Sequence, residues 1–469
     1  MSFFKAYDMR GTFGVDFDLD TVYRVGLVLP QVVRGPRWLV GRDCRETSAA
    51  VRDALVGGLS AAGAEVTDIG LCTTPMVYFF TAADGYDGSV MITASHNPPS
   101  DNGLKVSMRG ALPVGYANGL NEVERLVQSS NRRRDDSPVP AVAESTDPTF
   151  LSRYIVWQFA HSILPNIPPA QPSQAFQNLS YAVDCSNGMA SILVKELFPG
   201  AVIINDTLDG RFPNHSPNPL KSEAREQLVA LVRERGLDCG VILDGDADRC
   251  MFVDERGEFV QPDYLIPVVA RATLAGDRQR AAAGGAPVVI HDVRTSRGAI
   301  EALKRMGAEP RMVPVGHAFA KPILRESGGV CGGELAGHYY FREFHCCDSG
   351  VLAARRILGE IARAKAAGKT FSQMMRPISG VYANSGELNF RVTDKDAAIA
   401  RALAVARDRL PPEISRSELD GIRVEYTEGW INIRKSNTEP YLRLLVECDT
   451  VERLHTWTAL LKEAIGDES

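Results

Sequence analysis

Strand and helix signals alternate along residues 1–370, which predicts an α/β protein built of three similar domains with mixed, mainly parallel sheets. Beyond residue 371 strands dominate, which predicts a smaller C-terminal α+β domain. Size points the same way. The chain has 469 residues, 45% of them hydrophobic, and single cores stop growing near about 250–300 residues. Several cores are therefore required.

The first segment, 1–148, carries the apolar strand WLVGRD (38–43), a helix over 48–63, and strand signals at AEVTDIG and GSVMITAS. It closes in NRRRDDSPVPAVAESTDP (131–148), where charge and proline replace periodicity, as in a linker. The second segment, 149–253, holds the proline-rich ILPNIPPAQPSQ, the strand LSYAVDCSNG, the loop DGRFPNHSPNPL, a helix and the strand CGVILDGDADR. The third, 254–370, repeats the rhythm with helix DYLIPVVARATLAG, strand APVVIHDV, helix SRGAIEALKRMG and strand PRMVPVGH. The fourth, 371–469, has strands at GELNFRV, DGIRVEYTEG, WINIRKSN and YLRLLVECD, with helices at DAAIARALAVARDRL and VERLHTWTALLKEAIG.

A net charge of -6 and a pI of about 5.9 argue against a nucleic-acid binder, which usually presents a basic face. The N-terminus MSFFKAYDMRGTFG has no apolar signal region, and no run reaches about 18 apolar residues, so neither secretion nor a membrane span is expected. The nine cysteines lack C-x-x-C spacing, which fits reduced thiols in a cytoplasm, with Cys346 and Cys347 as packing residues. No feature points to a protein partner, so a monomer or homodimer is expected.

Four polar loops carry chemistry. In MITASHNPPSDNGLKV (91–106) an apolar run leads into a loop that two prolines and Asn102-Gly103 stiffen and turn. Open α/β sheets place ligands at such strand ends. Ser95 is there a candidate nucleophile or phosphoryl carrier, with His96 and Lys105 nearby; the competing reading is an ordinary turn. In VILDGDADR (241–249), Asp244, Asp246 and Asp248 alternate after a strand and can converge on a hard cation such as Mg²⁺. An EF-hand is disfavoured because its sixth position is Arg249 rather than Gly and a strand precedes it. A plain acidic turn is the other reading. In GGELAGH (332–338), Glu334 and His338 can bond hydroxyls beside glycines that admit a close ligand. In RKSNTEPYLR (434–443), Arg434 offers a bidentate fork, Ser436 and Thr438 hydroxyls and Asn437 an amide, a set suited to a phosphate dianion. A fifth segment, AKAAGKT (364–370), ends like a P-loop, but Arg363 stands where its first glycine belongs and a helix precedes it.

These segments resemble the α-D-phosphohexomutase superfamily, the phosphomannomutase/phosphoglucomutase kind. The signature T-A-S-H-N-P-x-x-x-N-G-x-K spans 93–105, the metal loop D-G-D-x-D-R spans 244–249, and the distal-phosphate loop R-x-S-N-T-E-P spans 434–440. FKAYDMRG is similar to the family's Y-D-I-R-G opening. The resemblance covers the whole chain, motifs in family order, and implies four domains around a central cleft. It implies a phosphoserine at Ser95, Mg²⁺ held by Ser95, Asp244, Asp246 and Asp248, and Arg249 on the same phosphate. Glu334 and His338 would read the sugar hydroxyls, while Arg434, Ser436, Asn437 and Thr438 would hold the distal phosphate. Tyr7 and Arg10 would approach the active site, and Arg294 stands where many members have a lysine near the sugar phosphate. His317 in VPVGHAFAK is a candidate ligand contact or proton carrier; Lys105 and His338 are the candidate acid and base.

The implied reaction interconverts hexose 6-phosphate and hexose 1-phosphate through a 1,6-bisphosphate, which also serves as activator. Asn437 and the T-A-S-H-N-P form lean toward mannose or glucose, since phosphoglucosamine mutases typically carry Gly and S-A-S-H-N-P there. Two positions depart from the pattern: Ala336 replaces a serine of the sugar loop, and Val315 a threonine before His317. The alternatives are a phosphoglucosamine mutase, a metal-dependent sugar phosphatase, and a non-catalytic sugar-phosphate binder, which would have lost Ser95 or an aspartate.

Overall fold

The computed structural model describes residues 3–130, 132, 147–161, 176, 178–276, 285–436 and 441–466. Nearly all of the linker reading at 131–148 and the whole of ILPNIPPAQPSQ lie outside them. Four sheets follow one another along the chain. The first runs, in spatial order, Met9–Thr12, Asp101–Met108, Gly88–Ile92, Arg37–Arg42 and Glu65–Leu71. The second runs Phe259–Val260, Cys250–Asp254, Cys239–Leu243, Tyr181–Asp184 and Val202–Ile204; the third runs Glu309–Val313, Val288–Asp292, Cys331–Gly333, Tyr339–Phe341 and Cys347–Asp348.

In all three, parallel pairing is confined to three consecutive strands, and antiparallel strands extend one edge. The added strands return through tight loops, and those loops carry the functional residues. The fourth sheet is antiparallel throughout, with Gly429–Lys435 beside Leu442–Cys448 at its centre. Helices Lys395–Arg409 and Val451–Ile465 contact one another in this C-terminal unit. Among the described residues no helix is long and apolar enough to cross a membrane.

Several helices escape a periodicity reading. Thr74–Ala83, TPMVYFFTAA, is buried over most of its length; a helix surrounded by protein has no polar face to set a period. Its cap is legible in retrospect. Thr73 accepts from the Met76 amide, a standard N-cap bond, and this fixes the helix start that places Thr74 at the site.

The first three sheets share one apolar cluster. Phe344, fully buried, lies 6.3 Å from the Phe79 ring and 5.0 Å from Trp157, tying helix Thr74–Ala83 and helix Thr149–His161 to the third sheet. The C-terminal sheet has its own core around Ile431, Leu444 and Trp457. Phe344→Ala should therefore cost about 3–5 kcal/mol. Calorimetry should show the transition of the shared core moving down while a separate C-terminal transition stays; an unmoved shared transition would refute the coupling.

Candidate active site

The serine loop starts where strand Gly88–Ile92 ends. Ser95 is buried, with φ of 52°, a left-handed conformation that costs a non-glycine residue on the order of 1–3 kcal/mol. The loop is held by a residue that sequence reasoning missed. Arg45 spends its guanidinium on four backbone carbonyls: Ser95 and Asn97 at 2.8 Å each, Pro98 at 2.6 Å and Asp101 at 2.9 Å. Asp43 fixes Arg45 at 3.1 Å. The signal was available in GRDCRETS, where a charged pair follows a buried strand.

The carboxylate loop, after strand Cys239–Leu243, meets the serine directly. Ser95 Oγ donates to Asp244 Oδ2 at 3.0 Å, and His96 Nδ1 lies 3.3 Å from the same hydroxyl. Gly245 is there because the backbones nearly touch: a Cβ at this position would sit 2.6 Å from the Ser95 carbonyl oxygen. Lys105 Nζ reaches Asp246 Oδ2 and Asp248 Oδ2 at 2.6 Å each, and Thr74 donates to Asp246 at 2.5 Å. Arg249 Nε lies 3.7 Å from Asp244 and 3.8 Å from Asp248. Arg10, on the strand beside Lys105, is paired with Asp8 and donates to Asn97 Oδ1 at 3.3 Å.

Burial and the two neighbouring carboxylates push Asp244 well up. Burial opposes ionisation of Asp246 too, but Lys105 and the bonds from Lys105 and Thr74 hold it low. Burial, then Arg249, Arg10 and Lys105, drive His96 well below the usual histidine range, so its ring is neutral. The carboxylate oxygens of Asp244, Asp246 and Asp248 lie within 4.8 Å of one another. Asp246 Oδ1 and Asp248 Oδ1 are buried with no hydrogen-bond partner among the described residues. A hard divalent cation fits this donor set.

The sugar loop abuts the carboxylate loop. Arg249 and His338 form a backbone bridge, and the Cys250 amide donates to the Gly337 carbonyl at 3.2 Å. His338 Nδ1 is 2.7 Å from Asp348 Oδ2, and Lys321 Nζ is 2.8 Å from the other Asp348 oxygen. Burial works against the Asp348 charge, yet Lys321 and His338 hold it well below the usual range. An ionised Asp348 makes His338 Nδ1 the donor and Nε2 the acceptor when the ring is neutral. Glu334 accepts from Tyr340 Oη at 2.5 Å and from the Gly316 amide at 3.2 Å. Burial raises its carboxyl. Tyr7 Oη donates to the Val315 carbonyl at 3.0 Å, its ring 6.2 Å from His317. Both His317 nitrogens are buried without a partner among the described residues, and burial with Lys321 keeps the ring neutral.

At the far end, Arg294 pairs with Asp292 at 2.5 Å and lies 4.0 Å from Glu334. Arg434 lies on strand Gly429–Lys435, and Ser436 follows it, half-buried. Asn437 and Thr438 fall outside the described residues. The structure thus gathers Arg10, Ser95, His96, Lys105, Asp244, Asp246, Asp248, Arg249 and His338 at one end and Arg294 and Arg434 at the other, with Glu334 between. Sequence reasoning missed Arg45, Thr74, Tyr340, Asp348, Glu387 and Arg443, and had Lys321 only as the closing position of VPVGHAFAK. The P-loop-like Lys369 and Thr370 only lead into helix Phe371–Ser379, where Thr370 is the cap. Glu255, twelfth counting from Asp244 and so at the position of an EF-hand's last ligand, accepts from Ser372 instead.

Comparison with known proteins agrees with this geometry. Four models of the phosphoglucomutase/phosphomannomutase family match: α/β/α domain I over 1–134, domain II over 159–257, domain III over 261–380 and the C-terminal domain over 387–464. "Phosphohexose mutases" of Xanthomonas campestris are 36% identical over 95% of this chain and 94% of their own. A phosphomannomutase of Salmonella montevideo is 34% identical over 95% of this chain and 94% of its own. A crystal structure of a phosphoglucomutase/phosphomannomutase family protein from Burkholderia thailandensis superposes with a TM-score of 0.80 at 28% identity, covering 98% of this chain and 97% of that one.

The fold and the matches define a phosphohexomutase, an isomerase. The chain belongs to the phosphoglucomutase/phosphomannomutase family.

Two substitutions probe the loop contact. Arg45→Lys cannot serve four carbonyls with one ammonium, so kcat should fall about 100-fold through misplacement of Ser95, with KM little changed. Gly245→Ala should act in the same direction. Steady-state kinetics on correctly folded protein decide; an unchanged kcat in both would refute the role of this contact.

Proposed function

We propose that this chain interconverts the 6- and 1-phosphates of mannose and glucose through a phosphoserine at Ser95. One observation carries the reading: the Ser95 hydroxyl is buried between Asp244 at 3.0 Å and His96 at 3.3 Å, at one end of a polar track that ends in arginines. Relatives named phosphomannomutase support the sugar class.

In the forward step the Ser95 Oγ–P bond breaks and a sugar hydroxyl oxygen forms the new O–P bond. The hydroxyl proton passes to His338 Nε2, since Asp348 fixes Nδ1 as donor. Lys105, whose ammonium Asp246 and Asp248 keep charged against burial, donates toward the departing serine oxygen. The hexose 1,6-bisphosphate then turns over, and its other phosphate returns to Ser95, regenerating the resting enzyme; the same bisphosphate is the activator. Asp244, Asp246 and Asp248, with phosphorylated Ser95, would hold Mg²⁺, which when bound would neutralise charge on the phosphoryl oxygens. Arg249 and Arg10 orient the transferring group, as phosphoryl transfer relies mainly on positioning and electrostatics.

Glu334 and His338 hold the sugar in either orientation, with Tyr7 and His317 lining the approach. Arg294, Arg434, Ser436, Asn437 and Thr438 hold the phosphate that is not reacting. Ala336 lacks the hydroxyl of the usual loop; where that hydroxyl contacts sugar, its loss removes about 0.5–1.5 kcal/mol of net hydrogen bonding. The domains divide near 148, 253 and 370, the second boundary falling just short of the strand Phe259–Val260 that completes the second sheet, and nine free cysteines fit a cytoplasmic enzyme.

Mannose 1-phosphate, glucose 1-phosphate and glucosamine 1-phosphate, compared with Mg²⁺ and trace bisphosphate, test the reading. Comparable 6-phosphate formation from the first two, and little from the third, is expected. Preference for glucosamine would overturn the sugar assignment, and free phosphate without isomer would make the protein a phosphatase. Ser95→Ala should abolish turnover in folded protein. Dialysis against EDTA should do so reversibly, with Mg²⁺ restoring the rate; full activity in either case refutes the mechanism.

A further inference from the structure

Three guanidinium groups converge on a single carboxylate. Arg434 Nη2 lies 2.8 Å from Glu387 Oε1, Arg443 Nη1 lies 3.0 Å from Oε2, and Arg294 Nη1 lies 3.5 Å from Oε1. The arginines come from two sheets. Arg434 and Arg443 are register partners on adjacent strands of the C-terminal sheet, while Arg294 follows strand Val288–Asp292 of the third. Glu387 precedes the short strand Leu388–Phe390, which pairs with the strand carrying Arg443. The site is largely dry: Arg434 is 2% exposed and the Glu387 side chain 18%. Arg434 Nε is buried without a partner among the described residues, so Glu387 does not take up every donor that Arg434 offers. Burial opposes the Glu387 charge, but Arg294, Arg434 and Arg443 overcome it and hold its pKa at about 2.

A carboxylate offers two oxygens and one charge to a set of donors that suits a phosphate dianion with three oxygens. We propose that Glu387 is a built-in counter-anion of the distal phosphate site: it occupies the guanidinium donors when the sugar's non-reacting phosphate is away and yields them when that phosphate arrives. This rests on the mutase reading only for the identity of the anion. The physical reason is the cost of the alternatives. Buried arginines without an anion would repel one another and lack acceptors. Arginines that met only the phosphate would bind it too firmly to release. A hexose bisphosphate that turns round between half-reactions must let go of this site in every cycle, and a resident carboxylate makes that release an exchange of partners. A contrary role is a fixed scaffold: Glu387 would orient the arginines and stay in place beside the phosphate. The two roles predict opposite signs for loss of the charge.

The test uses the full chain as Glu387→Gln and Glu387→Asp, with inorganic phosphate as calorimetric probe in phosphate-free buffer. Removing the competing charge is expected to tighten phosphate about tenfold in Glu387→Gln. KM for mannose 1-phosphate should fall similarly and kcat should fall as phosphate release slows. Glu387→Asp, which keeps the charge, should tighten phosphate far less than Glu387→Gln. In an Arg434→Met background the Glu387→Gln effect should vanish, which places the probe at this site rather than at Ser95. Phosphate binding that is unchanged or weaker in folded Glu387→Gln would overturn the proposal in favour of a scaffold. If the wild type showed no mutase activity while Glu387→Gln still tightened phosphate, the counter-anion would stand and the mutase reading would fall.

Discussion

Lys105 holds the reacting end together. Its ammonium sits 2.6 Å from both Asp246 and Asp248, and it stands on a strand of the first sheet while the aspartates follow a strand of the second. Three buried carboxylates on five residues are unfavourable by desolvation and mutual repulsion. Lys105, with Arg249 at 3.7 Å from Asp244, makes their burial possible. The serine loop must then lie against the carboxylate loop, and the Gly245–Ser95 backbone contact sets how closely. Removing one cationic partner would leave charge uncompensated in a dry site, so the catalytic constellation and the docking of two domains are the same interaction.

From that contact the geometry propagates by short steps. The Arg249–His338 bridge fastens the carboxylate loop to the sugar loop. Asp348, two strands along the third sheet, fixes the His338 ring, and Lys321 fixes Asp348. Each anchoring group is buried: Asp348 ends strand Cys347–Asp348, Arg249 and His338 directly precede strands Cys250–Asp254 and Tyr339–Phe341, and Lys321 lies within helix His317–Glu326, so the polar track inherits the rigidity of these elements. Neutral His96 and His317 are consequences of the same arrangement. Cations already crowd the site, and burial removes the remaining reason for a ring to charge.

Much of this was legible in the sequence because chemistry and local conformation coincided. A buried strand ending in Ser-His-Asn-Pro, or in alternating aspartates, names both an element and a site, and the architecture of three α/β units and one strand-rich unit followed from alternation. What escaped had a common cause. Arg45, Asp348 and Glu387 act through partners on other elements, and a lone arginine or glutamate carries no period or spacing that reveals a distant contact. Helix Thr74–Ala83 escaped because burial removed its polar face. The shortest edge strands, such as the two-residue Cys347–Asp348, escaped because they leave no alternation to read.

The two ends of the track are held by different kinds of interface. The first three sheets share one apolar cluster, which cannot open without exposing aromatic rings such as Phe344. The C-terminal sheet meets the third through polar contacts. Arg423 donates to the Val293 carbonyl at 2.6 Å and to Thr295 at 3.1 Å, while Arg297 reaches the Tyr426 and Gly429 carbonyls at 2.8 and 3.0 Å. Water can replace such bonds at small net cost, and polar interfaces between domains permit relative motion where apolar ones forbid it. The division suits the proposed function. Phosphoryl transfer at Ser95 would need fixed distances, and Ser95 is buried where the first two sheets, which share that cluster, meet. The distal phosphate would have to be gripped and released, and Arg294 and Arg434 come from the two sheets that this polar interface joins.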